Sequence, residues 1–266
     1  MASTIAAYQM IASSMTRSLE RTANQPQVAR ETAYYRANIG KVTSISDFLG
    51  NYRLLSYALK AYGLGDMAYA TAFVRKLLTE GTTSSTAFAN KLSDARYRDF
   101  VNAFNFAGLG SGATQTTAAQ TDIVNKYIRQ TLEEQAGSDL YGASQDGVRL
   151  ALYFQRKAPG ITNAFQILAD PALLQVVQTS LGFSPLTSRA NIDQQAKMIT
   201  SRINFQDFQD PKKLDSFITR FAALWDYNNP SATNVSVPQI VIGQPAGMGL
   251  SADTLMTLQG LKIGKK

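Results

Sequence analysis

Glu133 and Glu134 are the residues of this chain that most resemble an acid–base pair. Two carboxylates do such chemistry when their surroundings push their pKa values apart, so that one gives a proton and the other takes it. Both must then face one site, yet consecutive residues on a helix point about 100° apart. The pair therefore reads as part of a solvated helix face. "GLGSGA" (108–113) has the glycine spacing of a phosphate-binding loop but lacks the closing Lys-Ser/Thr and follows no strand pattern. "DFQDPKKLD" (207–215) carries three aspartates without the Gly and final Glu of a calcium loop. The aromatics Tyr34, Tyr35, Tyr57, Tyr62, Phe100, Phe104 and Phe106 recur at helical spacing, which suits a core better than a ligand box. No catalytic, cofactor-binding or metal-binding residue is expected.

Composition narrows the chemistry further. The 266 residues include no Cys and no His, which removes thiol nucleophiles, Cys/His zinc sites, disulfides and imidazole acid–base catalysis. What remains for an enzyme is carboxylate and arginine chemistry in a cleft. Lys and Arg number 26 against 19 Asp and Glu, a formal charge of +7. The basic residues are scattered in pairs such as Arg75-Lys76, Arg96/Arg98, Lys212-Lys213 and Lys265-Lys266. No run of them interleaves with aromatics, so no nucleic-acid partner is expected. No apolar run approaches the ~18 residues of a membrane span. The first 25 residues lack the basic region of a standard signal peptide. Charged residues make up only 17%, against the usual quarter or so, and such a surface repels neighbours weakly.

These residues sit in a helical pattern. Ile5, Tyr8, Ala12, Met15 and Leu19 step by three and four, which predicts one helix over 3–22. Pro26 suits the first turn of a second helix and Gly40 its end. Asn51, Asp94, Asp170 and Asp210 each precede an apolar helical pattern, and Pro171 and Pro211 follow the last two. "LLSYALKAYGL" (54–64) matches "LLQVVQTSLGF" (173–183), with Gly63 on Gly182. "DMAYATAFVRKLL" (66–78) lies against "NIDQQAKMITSRI" (191–203), and "FVNAF" (100–104) against "FITRF" (217–221). The order and register of three segments predict a tandem duplication. "GLGSGATQTTAAQ" (108–120) reads as a flexible surface loop, followed by helices over 121–137 and 147–161. Val235–Ile242 is a short β-prone run within a Pro/Gly/Asn-rich arm. Ser251 then caps a short helix whose apolar side is Leu255, Met256, Leu258 and Leu261.

The expected fold class is all-α: tandem duplicated three-helix units with extra N-terminal and C-terminal helices and an extended C-terminal arm. Residues 1–41 hold the N-terminal helices. Residues 42–226 form a helical body of two related units, 48–106 and 167–225, joined by a loop and two helices. Residues 227–266 form the arm and last helix. A narrow apolar helix is marginal alone, so Ile5, Tyr8, Met15 and Leu19 at one end, and Leu255, Leu258 and Leu261 at the other, are candidate partner-contact residues.

"QPQVARETAYYRANIGKVTSISDFL", "YALKAYGLGDMAYATAFVRKLL", "FANKLSDARYRDFVNAFNF", "GVRLALYFQRKAPGITNAFQILADPALLQVVQTSLGF" and "LSADTLMTLQGL" resemble, in order, a family of uncharacterised alphaproteobacterial proteins whose genes often lie among flagellar genes. The resemblance runs from about Tyr8 to Leu261 and is most specific at Tyr62–Met67 and Leu150–Ala158. It implies a motility context and no catalytic residues. Flagellar axial subunits also generally lack Cys, are poor in His, carry no cleaved signal and have apolar helices at both ends. The expectation is a non-enzymatic, flagellum-associated structural or interaction protein, exported without a cleaved signal peptide, with flagellar proteins or itself as partner. The alternatives are a cytoplasmic export adaptor or assembly chaperone, and behind it a carboxylate-based enzyme.

Overall fold

A computed structural model describes residues 3–137 and 145–229, which form an all-α fold with no strand among them. In chain order the helices are α1 (Thr4–Ala12), α2 (Met15–Ala23), α3 (Pro26–Asn38), α4 (Ile45–Gly50), α5 (Tyr52–Ala61), α6 (Thr71–Glu80), α7 (Phe88–Lys91), α8 (Ala95–Ala103), α9 (Phe106–Leu109), α10 (Ile123–Ala136), α11 (Gln145–Lys157), α12 (Ala164–Leu168), α13 (Pro171–Leu181), α14 (Ile192–Thr200) and α15 (Pro211–Asn228). The arm beyond 229, with the β-prone run at Val235–Ile242 and the candidate contacts Leu255, Leu258 and Leu261, lies outside the described residues.

The order of elements repeats. Short helix α4, helix α5, a 3-10 turn at Gly65–Tyr69, helix α6, short helix α7 and helix α8 are matched by α12, α13, a 3-10 turn at Pro185–Arg189, α14, a 3-10 turn at Phe205–Gln209 and α15. This matched order supports the duplication. The register of the middle segment needs correcting. The helix expected over 66–78 starts only at Thr71, because residues 65–69 are the 3-10 turn. Met67 therefore lies in the 3-10 turn whereas Ile192 opens α14.

Local chemistry explains why these helices begin and end where they do. The side chain of Asn51 accepts from the Leu54 N–H, Asp94 from Arg96, Asp170 from Ala172 and Leu173, and Asp210 from Lys212 and Lys213. Each satisfies first-turn donors that have no partner within the helix. α5 and α13 end alike. Gly63 and Gly182 take positive φ (70° and 65°). The next residue's N–H then reaches five residues back: Leu64 to the Leu59 carbonyl and Phe183 to that of Gln178, both at 2.9 Å. This left-handed cap costs glycine nothing and any other residue about 1 kcal/mol or more. Arg96 ties the two devices together in the first unit. It donates to the Gly63 carbonyl at 2.8 Å while pairing with Asp94 at 2.7 Å.

Two expectations fail. The single N-terminal helix breaks at Ser13-Ser14, where Ser14 leaves the helical region (φ −133°, ψ 47°). α1 packs on α11 and α15 whereas α2 packs on α10, so the chain must turn between them. Ser supports the turn by bonding locally, the Ser14 hydroxyl to the Met10 carbonyl at 3.2 Å. Nor is 108–120 a flexible surface loop. Ala113, Thr114 and Ala119 are fully buried. Thr114 donates to the Val42 carbonyl, Gln115 to that of Gly40, and the Tyr35 hydroxyl to that of Ala119, each at 2.7 Å. The short polar side chains that suggested solvation stitch the segment to α3 and its following turn.

The apolar faces collect into two cores. The first takes Val28, Tyr35, Phe48, Leu54, Leu77, Phe100, Phe104 and the start of α10 at Ile123, Val124 and Tyr127. The second takes Tyr8, Ile11, Phe154, Val176, Ile199, Phe221 and the end of α10 at Leu132 and Ala136. Each large side chain so withdrawn from water contributes about 1.5–3 kcal/mol before the entropy of ordering it is counted.

Two tests follow from the caps. Asp170 serves two backbone donors and also accepts from the Tyr153 hydroxyl at 2.6 Å. Asp170→Ala should cost about 1–2 kcal/mol in chemical denaturation, and an unchanged midpoint would refute its capping role. Asp94 gives a pH test. Partial burial pushes its carboxyl up, but hydrogen bonds from the Arg96 guanidinium and N–H outweigh this and hold the pKa below the ordinary 3.8. A depressed carboxyl stabilises fully above its unfolded pKa and loses that contribution as pH falls through its folded one. The stability gap between wild type and Asp94→Asn should be widest near neutrality and shrink as pH drops below 3.8.

Candidate functional site

The polar groups that the sequence offered for catalysis are engaged in structure. Glu133 does not lie on a solvated face: its side chain is 1% exposed. Arg156 of α11 grips it with two bonds, Nε to Oε1 at 2.8 Å and Nη2 to Oε2 at 2.7 Å. Arg129, one turn before it on α10, adds a third at 2.9 Å. Arg129 also reaches the Leu152 carbonyl and Gln155, each at 3.2 Å. Burial alone would lower the Arg156 pKa, but the bonds and charge of Glu133 outweigh it and raise it. The cluster clamps α10 to α11 through both carboxylate oxygens of Glu133. The neighbouring Glu134 points elsewhere, pairing with Lys60 of α5 at 3.0 Å.

The "DFQDPKKLD" aspartates also divide. Asp210 caps α15, Asp207 pairs with Lys213 at 2.6 Å, and Asp215 accepts from Tyr8 at 3.3 Å. Among the described residues no three acids gather closely enough to hold a metal ion. Among the described residues, hydrogen bonds hold the carboxyls of Asp47 and Asp94 below the ordinary value.

A surface groove of about 820 Å³ runs beside α1. One wall is the outer edge of α1, with Ala6, Gln9 and Met10; the other is Phe208, Pro211 and Leu214. Tyr8, Gln155 and Asp215 supply its polar groups. The Tyr8 hydroxyl donates to Asp215 and accepts from Gln155 at 3.2 Å. Burial first, and then the Asp215 charge, raise the Tyr8 pKa far above neutrality, so the phenol remains a donor. Met10 on the rim is 54% exposed. Such a mostly apolar groove with few charges is suited to an apolar helix or side chain.

The candidate contact residues at the N-terminal end are placed differently from expectation. Tyr8 is fully buried in the second core, and Met15 and Leu19 pack partly buried against it. Ile5 is half-buried. The surface that α1 needs is supplied by the chain's own α11 and α15. Sequence reading put Glu133 on a solvated face and missed its burial, although Arg129 four residues earlier is the signal that could have flagged it. It also missed Met10, whose place off the apolar seam is what leaves it exposed.

Glu133→Gln should leave two largely covered guanidiniums without their counter-charge. A loss of about 3 kcal/mol is expected, read as a lower denaturant midpoint. A change below about 0.5 kcal/mol, the range of an ordinary surface substitution, would show that the clamp is not structural.

Comparison with known proteins places this architecture. A structural genomics structure of an Agrobacterium tumefaciens protein is similar to it, with a TM-score of 0.76 and 50% sequence identity over 84% of this chain and 93% of that one. No curated protein matches. The family described as "Protein of unknown function (DUF1217)" matches residues 61–214, from the end of α5 to the start of α15. The chain belongs to the DUF1217 family.

Proposed function

We propose that this chain is a non-enzymatic structural or interaction protein that works with the flagellum and assembles with flagellar subunits or with copies of itself. The observation that carries the reading is the groove beside α1, a mostly apolar trough of about 820 Å³. The low charge content, the absence of Cys and His and the resemblance to proteins encoded among flagellar genes support it. The same groove favours one second reading, a cytoplasmic adaptor or assembly chaperone that shelters an apolar segment of an unassembled subunit.

A clean deletion in the native bacterium tests the proposal. Loss of swimming and of normal filaments by electron microscopy is expected, and normal motility with normal flagella would overturn it. Fractionation separates the two readings. Recovery in sheared filaments or hook–basal bodies supports a built-in component, and recovery in a soluble complex with an unassembled subunit supports the adaptor.

A further inference from the structure

We propose that the seat of α1 is a helix-exchange site, which takes α1 from a second copy of this chain where copies are crowded. The inference deepens the assembly reading above, on which its biological meaning rests, by naming the partner.

Every polar need of α1 that reaches beyond its own turns is met by the seat. Asp226 of α15 accepts from the Thr4 N–H at 2.9 Å and from the Thr4 hydroxyl. This puts a carboxylate on the positive end of the helix, 222 residues away in sequence. Tyr8 is held between Asp215 and Gln155, and Ala7, Tyr8 and Ile11 fill the second core. α1 itself contains no charged residue, so nothing on it repels a seat from another chain. Its link to the body is slight: the helix ends at Ala12, Ser14 has left the helical region, and α2 departs onto α10. One side of α1 also lines the open groove, so that side of the helix is not covered by another element. A self-contained helix, a two-residue hinge and an open seat are the parts of a domain swap. Tethering holds α1 in its own seat at an effective concentration on the order of millimolar. Exchange therefore competes where copies are crowded to that level, as in a growing assembly.

The absence of native cysteine gives a clean test. Thr4→Cys and Asp226→Cys are made in separate chains, one enlarged by a tag, mixed at high concentration and oxidised. A mixed disulfide dimer is expected, in excess of that from a Met10→Cys chain mixed with the same Asp226→Cys chain, because Asp226 bonds Thr4 and Met10 lies six residues further along on the groove rim. The double variant Thr4→Cys/Asp226→Cys reports whether the two positions bond at all. Its oxidation without a mixed dimer above the Met10→Cys background overturns the proposal, and so does its failure to oxidise, since α1 would then not occupy the seat. The unmodified chain supplies a second measurement that does not depend on how the variants fold. Its light-scattering mass should rise from monomer toward dimer with concentration, and a monomer at every concentration overturns the proposal. Both measurements use purified protein, so a failure here is distinct from a failure of the motility experiment.

Discussion

The buried carboxylate of Glu133 is the contact on which the two halves of this molecule depend. α10 belongs to both cores: Ile123, Val124 and Tyr127 serve the first, and Leu132 and Ala136 serve the second. Along the second group the helix packs on α11, and there Glu133 meets Arg129 and Arg156. Taking a carboxylate out of water costs several kcal/mol, recovered only if geometry and additional bonds are good. Here both oxygens are gripped by Arg156, and Arg129 spends its remaining donors on the Leu152 carbonyl and Gln155. A hydrophobic contact at the same place would tolerate sliding of α10 over α11. The paired fork geometry of guanidinium and carboxylate does not, so it fixes how one core is set against the other.

The features legible in the sequence are those encoded by neighbouring residues. Asp170-Pro171 and Asp210-Pro211 announce helix starts because cap and first-turn proline act within three residues of each other. Gly63 and Gly182 announce helix ends for the same reason. The all-α class and the repeated order of elements follow from such local signals. The features that were not legible need a partner from far along the chain. Glu133 looks solvated until Arg156 of α11 is brought to it. Thr114 and Gln115 look like loop filler until the carbonyls of Val42 and Gly40 arrive. The apolar seam over Ile5, Tyr8 and Met15 pointed to a surface that wants covering. It did not say that α11 and α15 of the same chain provide the cover, nor that the helix would break at Ser13-Ser14 to reach it.

The two halves share an order of helices but fill their interiors differently. In the first, Tyr35, Tyr57 and Tyr127 stack with ring centroids 4.4 Å and 3.8 Å apart. Buried phenols require partners: Tyr35 finds the Ala119 carbonyl and Tyr57 finds Thr32. In the second, Phe154, Phe208 and Phe217 meet at 5.3 Å, and Tyr8 of α1 bonds to Asp215 and Gln155 beside them.

This uneven distribution of aromatic residues gives each half its own optical label. The single tryptophan of the chain, Trp225, is buried in the second core beside Gly147 of α11, where even a methyl group would collide with the indole. Its emission therefore responds to the seating of α15 and α11 and is blind to the first core. The stack of Tyr35, Tyr57 and Tyr127 lies in the other half and adds to the near-ultraviolet circular dichroism. One unlabelled sample thus carries a signal from each half. Where the Glu133 clamp holds, the two signals change together on unfolding, and a gap between them measures how far one half has come loose from the other.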